Sequence, residues 1–139
     1  MTKDVLITIS GVQMLDEEDA DVEMVTRGDY YQKNGKHYIL YDEVMEGFDG
    51  RVRNVIKISP NSVDIIKKGV ASAHMQFEKN KKNLSCYTTP LGDLMIGIQA
   101  NRISIDEGEN HLKIQVEYSS DFNYQHASDC HISAICKSV

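Results

Sequence analysis

The chain of 139 residues has no tryptophan, two prolines and three cysteines. Pro60-Asn61 and Pro90-Leu91-Gly92-Asp93 both read as turns, where a fixed φ is useful. Cys86, Cys130 and Cys136 are an odd number at no motif spacing, which argues against a disulfide framework and for reduced, packed thiols. No apolar run approaches the roughly 18 residues of a membrane helix. The start, Met1-Thr2-Lys3-Asp4, lacks the apolar stretch of an export signal. These absences place the expected chain in a cytoplasm, with no membrane partner. CxxC, HExxH, GxSxG and the phosphate-binding loop are all missing, so no cofactor is implied. No internal repeat or low-complexity segment interrupts the chain, and residues 1–139 read as one domain.

Charge is present but uneven around a net of −6. Residues 1–50 hold 4 basic and 12 acidic side chains, residues 51–82 hold 8 and 2, and residues 83–139 hold 3 and 7. The basic third has one aromatic, Phe77, so it lacks the stacking residues of a nucleic-acid surface. It reads as a solvated sheet face, or as a contact surface for an acidic partner or a second copy.

The most informative stretch is residues 22–45, VEMVTRGDYYQKNGKHYILYDEVM. Asn34-Gly35 supplies the two positive φ angles of a type I′ turn. A two-residue loop sets Lys33 opposite Lys36, Tyr31 opposite Tyr38 and Tyr30 opposite Ile39. Continued outward, Gly28 meets Tyr41, Arg27 meets Asp42, Thr26 meets Glu43 and Met24 meets Met45. Opposed residues share a face. The Thr26, Tyr30, Ile39, Tyr41, Glu43 face is the expected core side; the Arg27, Asp42 face is the solvent side.

The other strands follow from period-two patterns. Val5, Ile7 and Ile9 alternate in residues 4–13. Val52, Ile56 and Ile58 oppose Arg51, Arg53 and Lys57, and residues 62–68 make a short strand. In residues 70–79, Ala71, Ala73, Met75 and Phe77 face in, while His74 falls in the polar row and reads as a surface residue. In residues 94–105 the apolar phase slips near Asn101, which predicts a β-bulge. Leu112, Ile114, Val116 and Tyr118 alternate again, and a last strand ends near Lys137. Ten strands with short connections and one polar face each predict an all-β protein. The expected architecture is a single closed antiparallel up-and-down barrel.

The segments GDYYQKNGKHYILYDEV and IKKGVASAHMQF, with Tyr38, Tyr41, Glu43, Gly69, Phe77 and Gly92, resemble the YwiB-like family of small bacterial proteins. That resemblance implies a calycin-like barrel, related in shape to lipocalins, over nearly the whole chain. The Gly-x-Trp opening of true lipocalins is absent, so the likeness is architectural and carries no function by itself.

Two constellations invite chemistry. His126, Cys130, His131 and Cys136 are metal-ligand types. On a strand, however, His126 and Cys130 lie about 13 Å apart and neighbours point to opposite faces. Zinc needs donors at about 2.0–2.3 Å, so a site would require His111 or Cys86 from a partner strand, and no metal is expected. Glu43 is the sharper candidate: a carboxylate on the core face needs a partner, a ligand or water. No acid and base are paired and no nucleophile has an activator, which weighs against an enzyme. The reading is a binding barrel that takes a small, partly apolar or amphipathic ligand in its interior. Glu43, Tyr41, Thr26, Met24, Met45, Met75 and Phe77 would line the site. The alternative is a structural or interaction module that self-associates, as a homodimer, through its acidic and basic faces.

Overall fold

Alternating side chains of this kind cannot bury their apolar face in a flat sheet, and the chain curls the sheet on itself. The structure, a computed structural model, describes residues 3–11, 23–44, 50–122 and 125–139, with the backbone alone for residues 23, 122 and 125–128. Its strands are β1 (Asp4–Ser10), β2 (Glu23–Lys33), β3 (Lys36–Val44), β4 (Arg51–Ser59), β5 (Ser62–Gly69), β6 (Ala73–Glu78), β7 (Lys82–Thr89), β8 (Gly92–Glu107), β9 (His111–Phe122) and β10 (Gln125–Ser138). Among the described residues no helix is long and apolar enough to cross a membrane.

All ten strands form one antiparallel sheet in the order β6-β5-β4-β3-β2-β1-β10-β9-β8-β7. This is a nearly closed up-and-down barrel. From β1 to β6 and from β7 to β10 each strand pairs with its chain neighbours, and β1 pairs with β10. The seam lies between β6 and β7. There Ser72 and Thr88 exchange two backbone hydrogen bonds of 2.9 and 2.8 Å. Farther along the seam the Asn83 amide donates to the Gln76 carbonyl at 3.0 Å.

The Asn34-Gly35 turn has the expected φ values of 54° and 75°. It fixes the register Lys33–Lys36, Tyr31–Tyr38, Tyr30–Ile39 and Asp29–Leu40. There the β2–β3 ladder stops among the described residues. The expected pairs Gly28–Tyr41, Arg27–Asp42 and Thr26–Glu43 do not form. Instead β2 continues on β1, with Thr26 opposite Ile7 and Met24 opposite Ile9. β3 continues on β4, with Asp42 opposite Arg53 and Glu43 opposite Val52. The turn dictates register only while the strands stay together, and strand twist pulls the two arms toward different neighbours. Gly28 sits at the fork: a Cβ there would lie 2.3 Å from the Leu40 carbonyl oxygen. Its task is this close backbone approach.

The bulge expected from the phase slip is present, with the β8–β9 register shifting between Ala100 and Arg102. It lets Ile98 and Ala100 on one side, and Ile103 and Ile105 on the other, all turn toward the core. Phe77 is fully buried and meets Tyr118 edge-on, with ring centroids 5.0 Å apart. Burying such a ring is worth about 2–3 kcal/mol. Among the described residues the middle of the barrel is filled. The void bounded by Ile9, Tyr41, Ile56, Phe77, Ile114 and Ile132 holds about 10 Å³, space for one water at most. The interior left partly open that ten strands would permit is thus not found at this level.

Candidate functional site

At the end of the barrel where β2 and β3 diverge, three neighbouring strands turn polar groups inward. Glu43 is the last inward residue of β3. Asn54 of β4 lies opposite Tyr41, and Lys67 of β5 lies opposite Asn54. Asn54 keeps the phase of Val52 and Ile56, and Lys67 that of Val63 and Ile65, so strand geometry forces both inside. Across from Lys67 stands Ala73 of β6, a small residue beside a long stem.

The three side chains form one network. The Lys67 ammonium donates to Glu43 Oε1 at 2.6 Å and to Asn54 Oδ1 at 2.7 Å. Asn54 Nδ2 donates to the same Glu43 Oε1 at 3.0 Å and, more weakly, to the Val52 carbonyl at 3.4 Å. Lys67 is 6% exposed and Asn54 fully buried, whereas the Glu43 side chain keeps 30% of its surface. Removing an ammonium from water costs several kcal/mol, and the carboxylate and amide offset that cost. Tyr41 and Tyr87 flank the network. Burial first, then the charge of Glu43, pushes both phenols above their ordinary value. Both therefore stay protonated near the carboxylate.

The arrangement has spare capacity. Both protein bonds to the carboxylate land on Oε1; among the described residues no hydrogen bond reaches Oε2. Lys67 uses two of its three N–H donors on Glu43 and Asn54. The half-exposed carboxylate can accept from a donor arriving from the mouth, with the cation behind it keeping it charged.

The other residues expected at this site divide. Tyr41 is buried beside Glu43. Thr26 is not opposite Glu43; it faces a surface cleft of about 370 Å³ at the β2–β3 fork, shared with Arg27, Asp29, Asp42 and Arg53. Arg53, not Arg27, meets Asp42, at 3.5 Å. Met24 is half-buried against the core, Met75 lies beside Ile65 and Phe77 is in the packed middle. Met45 is outside the described residues. Asn54 and Lys67 were missed, although their phase among Val52, Ile56, Val63 and Ile65 was visible.

A second polar cluster occupies the opposite end. The Tyr30 hydroxyl lies 2.6 Å from His37 Nδ1, and His37 Nε2 lies 2.7 Å from Glu107 Oε1. In the neutral ring, Tyr30 donates to Nδ1 and the Nε2–H donates to Glu107. Tyr30 and His37 are buried; Glu107 is exposed. The link ties the β2–β3 hairpin to the end of β8 across the barrel. Burial, then the charges of Glu107 and Cys136, raises the Tyr30 phenol. Burial pushes the Cys136 thiol up to about 11.

Among the described residues no three His, Cys, Asp or Glu side chains converge on a point a metal ion could occupy. His111 lies 3.5 Å from Asp106 at the β8–β9 turn. The side chain of His126 is outside the described residues.

The family described as Domain of unknown function (DUF1934) matches residues 7–133. The chain is 26% identical over 110 residues to the Uncharacterized beta-barrel protein YwiB of Bacillus subtilis (strain 168), covering 77% of this chain and 76% of that protein. The crystal structure of ywiB protein from Bacillus subtilis matches 99% of this chain and 92% of its own, with a TM-score of 0.81 at 21% identity. That likeness establishes a shared barrel.

Proposed function

This chain belongs to the DUF1934 family, and within its barrel we propose that the Glu43 end binds a small, partly apolar ligand carrying a hydrogen-bond donor. The observation that carries this reading is a carboxylate with one oxygen unclaimed among the described residues, backed by a lysine only 6% exposed. An ion pair in this position is a poor way to gain stability, since apolar residues of similar volume usually do as well. A site that must present a charged acceptor at a barrel mouth has a use for it.

The filled middle moves the ligand from the deep interior to the mouth. Glu43 accepts from its hydroxyl, amide or ammonium group. Tyr41 and Tyr87 stand at the sides, and Met75 and Phe77 belong to the packed core of the barrel. Thr26 and Met24 lie on the β2 flank of the fork.

Mass spectrometry of small molecules that co-purify with the native protein tests the reading. A defined species retained by the protein is expected, and Glu43→Gln should lower its occupancy about tenfold, as loss of a charge-assisted hydrogen bond would. An empty protein, or equal occupancy in the variant, contradicts it.

A second reading, self-association, pairs the acidic surface of residues 1–50 in one copy with the basic outer face of the other. Val25 and Val44 there are 56% and 75% exposed, and Tyr31 stacks on Tyr38 at 4.7 Å. Arg51, Arg53 and Lys57 lie alongside on β4. This reading expects a dimer in sedimentation at low salt that weakens at high salt; a monomer at every salt concentration contradicts it.

A further inference from the structure

We propose that Lys67 forms a reversible imine with the ligand of the Glu43 end, and that this ligand is an aldehyde or ketone with a hydroxyl beside its carbonyl; this rests on the binding proposed for that end. The chain has eleven lysines, and all lie among the described residues. Lys67 is the buried one, 6% exposed. Lysine is among the residues least often buried. An amine set inside a barrel end is of the kind that forms Schiff bases with carbonyl compounds.

Its neighbours are those the step needs. Glu43 Oε1 lies 2.6 Å from the Lys67 nitrogen, and Asn54 Oδ1 lies 2.7 Å from it. Asn54 also donates to Glu43 Oε1 at 3.0 Å, so amine and carboxylate are held at a fixed separation. Glu43 is placed to take the ammonium proton and return it. Its side chain keeps 30% of its surface, so a carbonyl compound arriving from the mouth meets it first. Oε1 serves the lysine. Oε2, which receives no hydrogen bond among the described residues, accepts from the ligand hydroxyl. One carboxylate thus spans amine and ligand and sets the carbonyl carbon beside the nitrogen. Tyr41 and Tyr87 both feel the Glu43 charge and stay protonated, so neither competes as a base.

The step balances. Glu43 takes one proton from the Lys67 ammonium. The free amine adds to the carbonyl carbon, an N–C bond forms, and a proton passes from nitrogen to the carbonyl oxygen. Glu43 gives its proton to the resulting hydroxyl, the C–O bond breaks and water leaves. The product is a protonated imine on Lys67 beside an ionised Glu43, so the charges of the starting pair are restored. Hydrolysis retraces the path and releases the ligand.

Salicylaldehyde, partly apolar with a hydroxyl beside its carbonyl, is the probe. The full chain, dialysed free of retained small molecules, is treated with an equimolar amount and cyanoborohydride, and the modified lysines are mapped by peptide mass spectrometry. Lys67 should carry about tenfold more product than any exposed lysine. Glu43→Gln should cut labelling at Lys67 about tenfold and leave the exposed lysines unchanged. Lys67→Arg keeps a cation for Glu43 and should label only at the exposed lysines, at their wild-type level, with the near-ultraviolet circular dichroism unchanged. Labelling that follows exposure, with Lys67 the least modified, would overturn the proposal. So would equal labelling of Lys67 in Glu43→Gln and wild type. If Lys67 is not labelled while a molecule that co-purifies before dialysis rebinds after it, the imine is rejected and the binding at the Glu43 end stands.

Discussion

Each end of the barrel holds a buried polar cluster built round a carboxylate, and the two are wired in opposite senses. At the Tyr30 end the carboxylate, Glu107, is outside, and the buried Tyr30 and His37 form a chain that runs out to it. At the Glu43 end the cation is inside, the carboxylate stands between it and the mouth, and one carboxylate oxygen is left over among the described residues. The first joins a hairpin to a distant strand through two buried rings and serves as a fastener. The second sets a buried cation behind a part-buried carboxylate, which is the arrangement proposed for binding.

Removing Lys67 breaks the comparison hardest. Lys67→Met should cost about 2–3 kcal/mol in urea denaturation, because it leaves Glu43 and Asn54 without their cation. Adding Glu43→Leu should restore at least half of that loss. A double variant no more stable than Lys67→Met would mean that the pair contributes more than charge compensation.

Alkaline titration distinguishes the ends next. Tyr30, Tyr41, Tyr87 and Cys136 all have folded values above their ordinary ones, so the folded protein holds protons the unfolded chain releases. Their contribution is complete below the unfolded values of about 9 to 10 and is lost as pH rises through the folded ones. Thermal stability should therefore fall from about pH 9 upward. Glu43→Gln should ease ionisation of Tyr41 and Tyr87, read by ultraviolet difference spectra, and leave Tyr30 alone. Glu107→Gln should do the reverse.

Tyr30→Phe is a smaller test. It removes one buried donor and should cost about 1 kcal/mol, with no effect on anything bound at the Glu43 end.

Much of this was legible in the chain. Asn34-Gly35 wrote the hairpin register as far as Asp29–Leu40, and the slip in residues 94–105 marked the bulge at Asn101. The fork was not legible, because where β2 leaves β3 depends on strand twist and on β1 and β4, not on the turn. Glu43 was placed inward correctly, but its assigned neighbour, Thr26, belonged to the missing half of the ladder. Lys67 and Asn54 were hidden by an assumption about residue type: lysine is rarely buried, so the phase it shares with Val63 and Ile65 was overlooked. The Tyr30–His37–Glu107 link needs β8 brought across the barrel, which no local pattern encodes.

The most direct test is one binding measurement on three proteins: occupancy of the co-purifying species by native mass spectrometry in wild type, Glu43→Gln and Tyr30→Phe, each paired with its urea midpoint. The account predicts that Glu43→Gln empties the protein by about tenfold while remaining folded. Tyr30→Phe should lower the midpoint and keep the ligand. Equal occupancy in all three, or loss of the species in Tyr30→Phe alone, would contradict the assignment of binding to the Glu43 end.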